Sequence, residues 1–171
     1  MSTVEQQVTE QALKEMAEQL GACMTARALK LASAESCTGG WLAKVITDIP
    51  GSSAWFTGSV VSYSNESKQS LLGVAADTLK EFGAVSGETV LEMSDGLLAR
   101  TEADVVVSIS GVAGPDGGSD DKPVGLVWLS WGRRGKSTFA SPFHFDGDRK
   151  AVRKQSIAQA LNSLLDLLVC D

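Results

Sequence analysis

Hydrophobic positions along the chain switch between helical and strand spacing, and this pattern predicts most of the secondary structure. Between residue 2 and about residue 28, apolar side chains recur at steps of three and four, which indicates an amphipathic helix. The same criterion predicts helices over 38–48, 64–72, 77–82, 87–101 and 148–168. Continuous or alternating apolar runs predict strands over 29–35, 57–63, 104–110, 124–131 and 137–145.

The order of these elements predicts the fold. Helices alternate with strands early in the chain, whereas the last two strands are joined by Gly132-Arg-Arg-Gly135, a hairpin signal. The run 104–110 is too apolar for an edge strand, so we expect it at the centre of the sheet. The pattern is typical of an α/β protein, a three-layer α/β/α sandwich around a mixed, mostly parallel sheet with a late antiparallel hairpin. We expect one domain over 1–171.

Composition and charge argue against several classes of protein. The formal net charge is −6 and no run of lysine and arginine occurs, so we expect no nucleic-acid partner. The first residues are polar and acidic, unlike a signal peptide, and no apolar run approaches the roughly 20 residues that span a bilayer. We therefore expect no membrane partner and a cytoplasmic protein. The three cysteines, at 23, 37 and 170, have neither an even count nor metal-ligand spacing, so we expect no metal.

The first candidate site is the crossing from strand 29–35 into the next helix. The chain passes through Ser36-Cys-Thr-Gly-Gly40, where small residues leave the backbone open to a ligand. Free amides in the first turn of a helix stabilise an anion or a developing oxyanion. A serine here is a candidate nucleophile, but Ser36 or Thr38 can equally be a simple helix cap. Spacing alone does not decide between them.

A second crossing adds a candidate base. Lys68 falls in the first turns of a helix capped by Ser64 or Asn65, and Tyr63, the only tyrosine, ends the strand before it. The positive helix end and burial both lower the pKa of a lysine. A neutral lysine can take the proton of a serine, and a nearby phenol can relay it or steady the amine. From spacing alone, a solvated Lys68 and a half-buried Tyr63 are the simpler interpretation.

The lone histidine supports a different chemistry. His144 lies between two phenylalanines near the end of the last predicted strand. A Ser-His-Asp arrangement or a Cys37–His144 pair would have to use it. A single histidine on an apolar strand is more often structural, and Cys37 is more simply a small packed residue.

Anion binding has two further candidates. The glycine-rich residues 111–118 resemble a cradle of backbone amides, although no Gly-Lys-Ser/Thr follows, so this is not a P-loop. The same segment can be a plain connector. Arg149 and Arg153 open the last helix on one face, where either can pair with a phosphate or with local acids.

Seven ordered motifs give the chain a specific resemblance. They are Ala34-Glu-Ser-Cys-Thr-Gly-Gly40, Gly51-Ser-Ser, Tyr63-Ser-Asn-Glu-Ser-Lys68, Gly83-Ala-Val-Ser86, Ser108-Ile-Ser-Gly-Val-Ala-Gly-Pro-Asp-Gly-Gly118, Lys122-Pro-Val-Gly125 and Gly147-Asp-Arg149. Together they resemble the CinA C-terminal domain family, from about residue 5 to residue 168. Motifs this long and in this order are far more specific than a lone glycine motif.

The resemblance implies a reaction. It implies hydrolysis of the carboxamide of nicotinamide mononucleotide to nicotinic acid mononucleotide and ammonia, in pyridine-nucleotide salvage, with no cofactor. The serine, tyrosine and lysine that such family members use fall on Ser36, Tyr63 and Lys68. Neutral Lys68, directly or through Tyr63, is expected to remove the Ser36 proton, and the backbone amides of residues 37–39 are expected to hold the oxyanion.

The expected substrate contacts extend beyond these three residues. They are Cys37, Thr38, Gly39, Gly40, Gly111, Gly114, Gly117, Gly118 and Arg149. We expect a small-molecule substrate and a homodimer or larger homo-oligomer. Two alternatives remain open at this point, namely an amidase that depends on Cys37 and a nucleotide-binding domain without turnover.

Overall fold

The computed structural model describes residues 8–169. The first residues of the helix predicted from residue 2, and Cys170, lie outside that range. Within it the elements are α1 (Glu10–Ala26), β1 (Leu31–Glu35), α2 (Trp41–Thr47), a 3-10 turn (Ser52–Ala54), β2 (Phe56–Val61), α3 (Asn65–Leu72), α4 (Ala76–Phe82), α5 (Gly87–Arg100), β3 (Val105–Gly111), β4 (Leu126–Arg133), β5 (Thr138–His144) and α6 (Arg149–Val169). None of these helices is both long enough and apolar enough to span a bilayer.

The five strands form one mixed sheet in the order β2-β1-β3-β4-β5. β1 runs parallel to β2 and to β3, whereas β4 is antiparallel to β3 and to β5. All residues of β1 are buried, and in β3 only the last residue is partly exposed. The mixed sheet, its late hairpin and the central position of β3 are therefore confirmed.

Alternating side chains of β3 divide the helices between two faces. Val105, Val107 and Ile109 belong to a core shared with α1, α2 and α6. Val106 belongs to a second core, shared with α3, α4 and α5. Since successive residues of a strand point to opposite faces, one apolar strand holds both layers of helices in place. This is the predicted three-layer sandwich.

The tip of the hairpin differs from the prediction. Gly132 and Arg133 continue β4, and the turn lies at Arg134 and Gly135. Gly132 pairs with Thr138, and a Cβ on Gly132 would lie 2.7 Å from the Thr138 Oγ1 atom. The glycine therefore permits a close approach between strands and does not form the turn.

Small residues let α5 approach both the sheet and α3. The Ser94 hydroxyl lies 2.8 Å from Ser108 Oγ and 2.9 Å from Ser130 Oγ, all three side chains being buried. A Cβ on Gly96 would lie 1.9 Å from the carbonyl oxygen of Leu72, at the end of α3. The packing of α5 thus determines where α3 lies.

The topology brings three strand ends to one edge of the sheet. β1, β2 and β3 are parallel, so their carboxyl ends lie side by side. The chain leaves β1 towards β2 on one side and leaves β3 towards β4 on the other, which opens a crevice between the ends of β1 and β3. Ligands of open α/β sheets bind at such switch points.

Replacing Gly96 by alanine tests the contact between α3 and α5. Gly96→Ala should lower the free energy of unfolding by about 1–3 kcal/mol, because the added methyl group must push the Leu72 carbonyl away. Urea unfolding measures the change. Asp95→Ala, exposed on the same helix, is the control and should stay within about 0.5 kcal/mol of the parent. Equal stability of the two variants would contradict the close packing.

Candidate active site

A buried serine–lysine pair lies at the carboxyl end of β1. The Ser36 amide donates to the Ile109 carbonyl of β3 at 3.0 Å, which continues the strand pairing by one residue. The amine of Lys68, on α3, lies 2.9 Å from Ser36 Oγ. Lys68 is only 1% exposed and Ser36 8%. An amine and a hydroxyl at this distance can exchange a proton in either direction.

The other partners of the Lys68 amine are backbone carbonyls. Its Nζ atom donates to the carbonyl oxygens of Ser62 at 2.8 Å and of Tyr63 at 3.3 Å. Among the described residues no carboxylate pairs with it. Burial therefore lowers the pKa of Lys68 from its ordinary value, because the charged form loses more hydration than its neighbours compensate.

The local sequence explains how Lys68 reaches this place. Ser64 caps α3, since its hydroxyl accepts from the Ser67 amide at 3.0 Å. The Ser62 amide donates to the Glu35 carbonyl at 2.9 Å, which extends the pairing of β2 with β1. Lys68 follows one helical turn after the cap, so its side chain points back over the strand ends.

The side-chain carboxylate of Glu35, the last residue of β1, lies at the start of α2. This carboxylate accepts from the amides of Gly40 at 3.0 Å, Leu42 at 3.1 Å and Ala43 at 2.9 Å, and the residue is fully buried. The first-turn amides expected to meet a ligand are therefore already bound to a side chain of the protein. This charge also stabilises the positive end of the helix from within.

Residues 36–40 carry the candidate nucleophile Ser36 and are called the nucleophile loop. Two backbone amides of this loop stay available for hydrogen bonds to a ligand. Gly39 donates to the Ser36 carbonyl at 3.1 Å. The Thr38 amide donates to no described residue, and the Cys37 amide donates to none beyond its own side-chain sulfur. The Thr38 and Ser62 hydroxyls are buried and also lack a hydrogen-bond partner within the described range. Unsatisfied buried polar groups are rare in proteins, and here they surround the Ser36–Lys68 pair.

Arg153 of α6 holds the nucleophile loop from the other side. Its Nε atom donates to the Cys37 carbonyl and its Nη2 atom to the Thr38 carbonyl, both at 3.0 Å. The guanidinium lies over the Trp41 ring, 5.3 Å from the centroid, where a cation–π interaction steadies it.

Tyr63 joins the site through both its backbone and its hydroxyl group. Its carbonyl is the third acceptor for Lys68, while its side chain is 62% exposed. The phenol oxygen accepts from Arg149 Nη2 at 3.2 Å, and Arg149 Nη1 donates to the Gly114 carbonyl at 2.8 Å. The structure thus brings Tyr63, Arg149 and Gly114 together at the rim.

An open cleft of about 920 Å³ is connected to the site through Arg149 and Arg153, which bind Tyr63 and the loop after Ser36, although Ser36 and Lys68 are not part of its lining. It is lined by Trp41, Ala113, Pro115, Val124, Gly147, Asp148, Arg149, Lys150 and Arg153. Three cations face one carboxylate in this lining, which suits an anionic ligand. Within residues 8–169, no three side chains of the types that bind metal ions come together.

The glycines of residues 111–118 have packing roles. Gly111 ends β3, and a Cβ there would lie 2.8 Å from the Leu126 carbonyl of β4. A Cβ on Gly114 would lie 2.5 Å from Val124 Cγ1, and one on Gly118 2.8 Å from the Val124 amide nitrogen. Gly117 is exposed and is not part of the cleft lining. These contacts are sufficient reason for glycine at positions 111, 114 and 118, and no bound ligand is needed to explain them.

Cys37 and His144 are not brought together. His144 lies on the edge strand β5, three strands from β1, or about 14 Å at the usual spacing between strands. Cys37 is 6% exposed, and burial raises the pKa of its thiol to about 11. A thiol that stays protonated is a poor nucleophile.

Sequence reasoning missed the roles of Glu35 and Arg153. The signal for Glu35 is a single carboxylate in a strand of small residues just before Ser36. The signal for Arg153 is its position four residues after Arg149, on the same face of the helix. Neither signal reveals the acceptors or donors, because these come from segments distant in sequence.

Known proteins resemble this chain over most of its length. The CinA C-terminal domain model matches residues 13–168. The nicotinamide-nucleotide amidohydrolase PncC of Escherichia coli is 50% identical over 157 residues, covering 92% of this chain and 95% of that protein. The Pseudomonas putida protein of the same name is 49% identical, covering 89% and 94%. The crystal structure of competence/damage inducible protein CihA from Agrobacterium tumefaciens matches with a TM-score of 0.89 and 38% identity, covering 98% of this chain and 99% of that chain.

The protonation of Cys37 can be measured by alkylation. In a Cys23→Ser, Cys170→Ser background, iodoacetamide at pH 8 should label folded Cys37 at least about 100-fold more slowly than the urea-unfolded chain. A rise in thiol pKa from 9.0 to about 11 lowers the thiolate fraction by that factor, and burial slows the reaction further. Intact mass against time gives both rates. Equal rates would contradict the buried, protonated thiol.

Proposed function

Because this chain belongs to the CinA C-terminal domain family, we propose that it is a nicotinamide-nucleotide amidohydrolase in which Ser36 is the nucleophile and Lys68 the general base. The reaction converts nicotinamide mononucleotide and water to nicotinic acid mononucleotide and ammonia. The observation that carries the mechanism is the 2.9 Å contact between Lys68 Nζ and Ser36 Oγ in a buried setting where no carboxylate of the described residues pairs with the amine. The proposal extends to a cytoplasmic enzyme of pyridine-nucleotide salvage that forms a homodimer or larger homo-oligomer.

Acylation begins with proton transfer. The neutral amine of Lys68 takes the proton of Ser36, and Oγ attacks the carboxamide carbon. The carbonyl oxygen becomes an oxyanion, to which the free amides of Cys37 and Thr38 donate hydrogen bonds. The Lys68 ammonium then protonates the amide nitrogen, the C–N bond breaks, and ammonia leaves an acyl-enzyme on Ser36.

Deacylation uses the same groups in the reverse order. Lys68, neutral again, takes a proton from water, and the resulting hydroxide attacks the acyl carbon. The second oxyanion meets the same two amides. Its collapse breaks the bond to Oγ, and Lys68 returns the proton to Ser36. The product acid gives its proton through water to the released ammonia, so carboxylate and ammonium leave, and the Ser36–Lys68 pair is restored in its starting protonation state.

Tyr63 has a positioning role in this scheme. Its carbonyl, 3.3 Å from the Lys68 amine, helps to direct the amine towards Ser36. Its phenol is bonded to Arg149 and is more than half exposed, which suits contact with a substrate at the rim. Tyr63 thus connects the base with the cationic side of the cleft.

The cationic cleft is the proposed binding site of the 5'-phosphate. Arg149 and Lys150 are exposed on its wall, at the start of α6, where the helix end also favours an anion. Arg149 is a better candidate than Arg153 because it is exposed, whereas Arg153 is partly buried between the nucleophile loop and the Trp41 ring. Residues 111–118 contribute the Ala113 and Pro115 side of this cleft.

Neither alternative fits as well. The Cys37-dependent amidase lacks a nearby imidazole, and its thiol has a raised pKa. A domain that only binds nucleotides has no need of a buried lysine, because burying an amine without an opposite charge is costly. The geometry of the Ser36–Lys68 pair is explained by catalysis.

Loss of the Ser36 hydroxyl is the direct test of the nucleophile. We expect ammonia release from nicotinamide mononucleotide by the parent and a fall in kcat of about 10³-fold or more in Ser36→Ala, with the Kd for the mononucleotide nearly unchanged. Ser70→Ala, an exposed serine on α3, is the matched control and should retain full activity. Near-normal ammonia release by Ser36→Ala would refute the mechanism.

The same assay on nicotinamide riboside and on the dinucleotide tests the substrate. If the cleft binds the phosphate, the riboside should show a clearly lower kcat/KM than the mononucleotide. Equal values for the two would exclude a role of the phosphate in recognition.

The pH dependence tests the base. Only the neutral amine accepts a proton, so kcat/KM should rise with pH and level off below 10.5, the ordinary lysine pKa, because burial lowers the pKa of Lys68. Lys68→Arg should be inactive throughout the range, since a guanidinium stays protonated. A profile that levels off only above 10.5, or an active Lys68→Arg variant, would show that Lys68 is not the base.

A further inference from the structure

Arg153 makes contacts that the scheme above does not use. Its side chain crosses from α6 to the nucleophile loop and donates to two successive carbonyls, those of Cys37 and Thr38, at 3.0 Å each. Arginine forks usually bind carboxylates or phosphates. Here the fork is held by the Trp41 ring and points at backbone instead.

Each of these carbonyls belongs to a peptide group that also carries an amide. The Cys37 carbonyl shares its peptide group with the Thr38 amide. The Thr38 carbonyl shares its peptide group with the Gly39 amide, which donates to the Ser36 carbonyl at 3.1 Å. The Ser36 carbonyl in turn shares its peptide group with the Cys37 amide. One guanidinium is therefore connected through hydrogen bonds and peptide planes to both free amides of the loop.

This connection has two physical effects on the amides. A charge-assisted hydrogen bond to a carbonyl draws electron density across the peptide group, so the N–H on its far side becomes a stronger donor, by about 10–30% per bond in a chain of hydrogen bonds. The rigid fork also fixes the rotation of both peptide planes, and with it the direction of their N–H groups.

We propose that Arg153 is a positioning residue for the oxyanion, which it serves by orienting and polarising the Cys37 and Thr38 amides through their peptide groups. The inference rests on the proposed function, in which these two amides hold the oxyanion. It distinguishes Arg153 from Arg149, whose fork binds the Tyr63 hydroxyl and the Gly114 carbonyl at the exposed rim.

The two arginines should therefore affect different kinetic constants. Oxyanion stabilisation acts in the transition state, so a defect in it lowers kcat and leaves KM nearly unchanged. Loss of a phosphate contact weakens substrate binding and raises KM. A purely structural role of Arg153 would instead lower thermal stability without a selective fall in kcat.

The kinetic test compares variants of one helix. Arg153→Lys and Arg153→Gln should lower kcat for nicotinamide mononucleotide by about 10- to 100-fold with KM within about threefold, because losing an oxyanion donor outright costs about 10²–10³. The pH at which kcat/KM levels off should not move, since Lys68 keeps its own contacts. Arg149→Gln should raise KM. Lys154→Gln, which removes a cation paired with Glu10 on the far side, should retain parent activity.

A second readout does not depend on the identity of the substrate. Phenylmethylsulfonyl fluoride sulfonylates an activated serine, and negative charge develops on its sulfonyl oxygens during attack. Mass spectrometry should show modification of Ser36 in the parent, none at this position in Ser36→Ala, and a rate about 10-fold or more lower in Arg153→Gln. In Arg153→Gly, guanidinium chloride added at low millimolar concentration should restore part of the labelling rate. The measurement is made at a temperature where the variant is fully folded, so a gain in stability would not explain the recovery.

The outcomes separate the two proposals. Parent-like kcat and labelling rates in both folded Arg153 variants would overturn the role of Arg153 and leave the proposed function intact. A parent that labels at Ser36 but releases no ammonia would refute the substrate alone, and the labelling rates would still judge Arg153. A parent that neither labels at Ser36 nor releases ammonia would refute the proposed function and the inference with it.

Discussion

The burial of one amine without an opposite charge is the constraint on which the rest of this structure depends. Lys68 is enclosed at the ends of β1 and β2 with only a hydroxyl and two carbonyls as partners. Removing an ammonium group from water is costly unless a charge compensates it, so the enclosure favours the neutral amine. That enclosure needs α3 in a fixed place, which the Ser64 cap and the contact between Gly96 and Leu72 provide.

Charges of opposite sign hold the two sides of the nucleophile loop. Glu35 accepts from the amides that begin α2, while Arg153 donates to the carbonyls of Cys37 and Thr38. Between them they bind five polar backbone groups near Ser36, while the amides of Cys37 and Thr38 have no partner in another described residue. The loop is thus anchored on both sides, and its two remaining donors adjoin Ser36, which is the arrangement that the proposed stabilisation of an oxyanion requires.

Local pattern predicted much of this arrangement. The apolar run of β3 predicted its central position, and the two crossings from strand to helix supplied Ser36, Tyr63 and Lys68 as candidates. That the ends of β1 and β2 lie side by side was not predicted, because strand order depends on packing between distant segments. The hydroxyl of Tyr63 facing Arg149, and the carbonyl acceptors of Arg153, could not be predicted. They depend on how α6 lies across the sheet, which is set by packing between segments more than 80 residues apart. The hairpin tip was misplaced because glycine serves close strand contact as well as turns.

The protonated thiol of Cys37 has a consequence for the chemical environments in which such a site can work. Peroxides react with thiolates, so amide hydrolases with a cysteine nucleophile lose activity under oxidative stress when that sulfur becomes a sulfenic acid or a higher oxide. In the proposed mechanism the attacking atom is an oxygen that peroxide does not oxidise, and the adjacent Cys37 sulfur is buried, which raises the pKa of its thiol. An enzyme working by this mechanism would keep its activity in the presence of peroxide, even though a cysteine directly follows the proposed nucleophile.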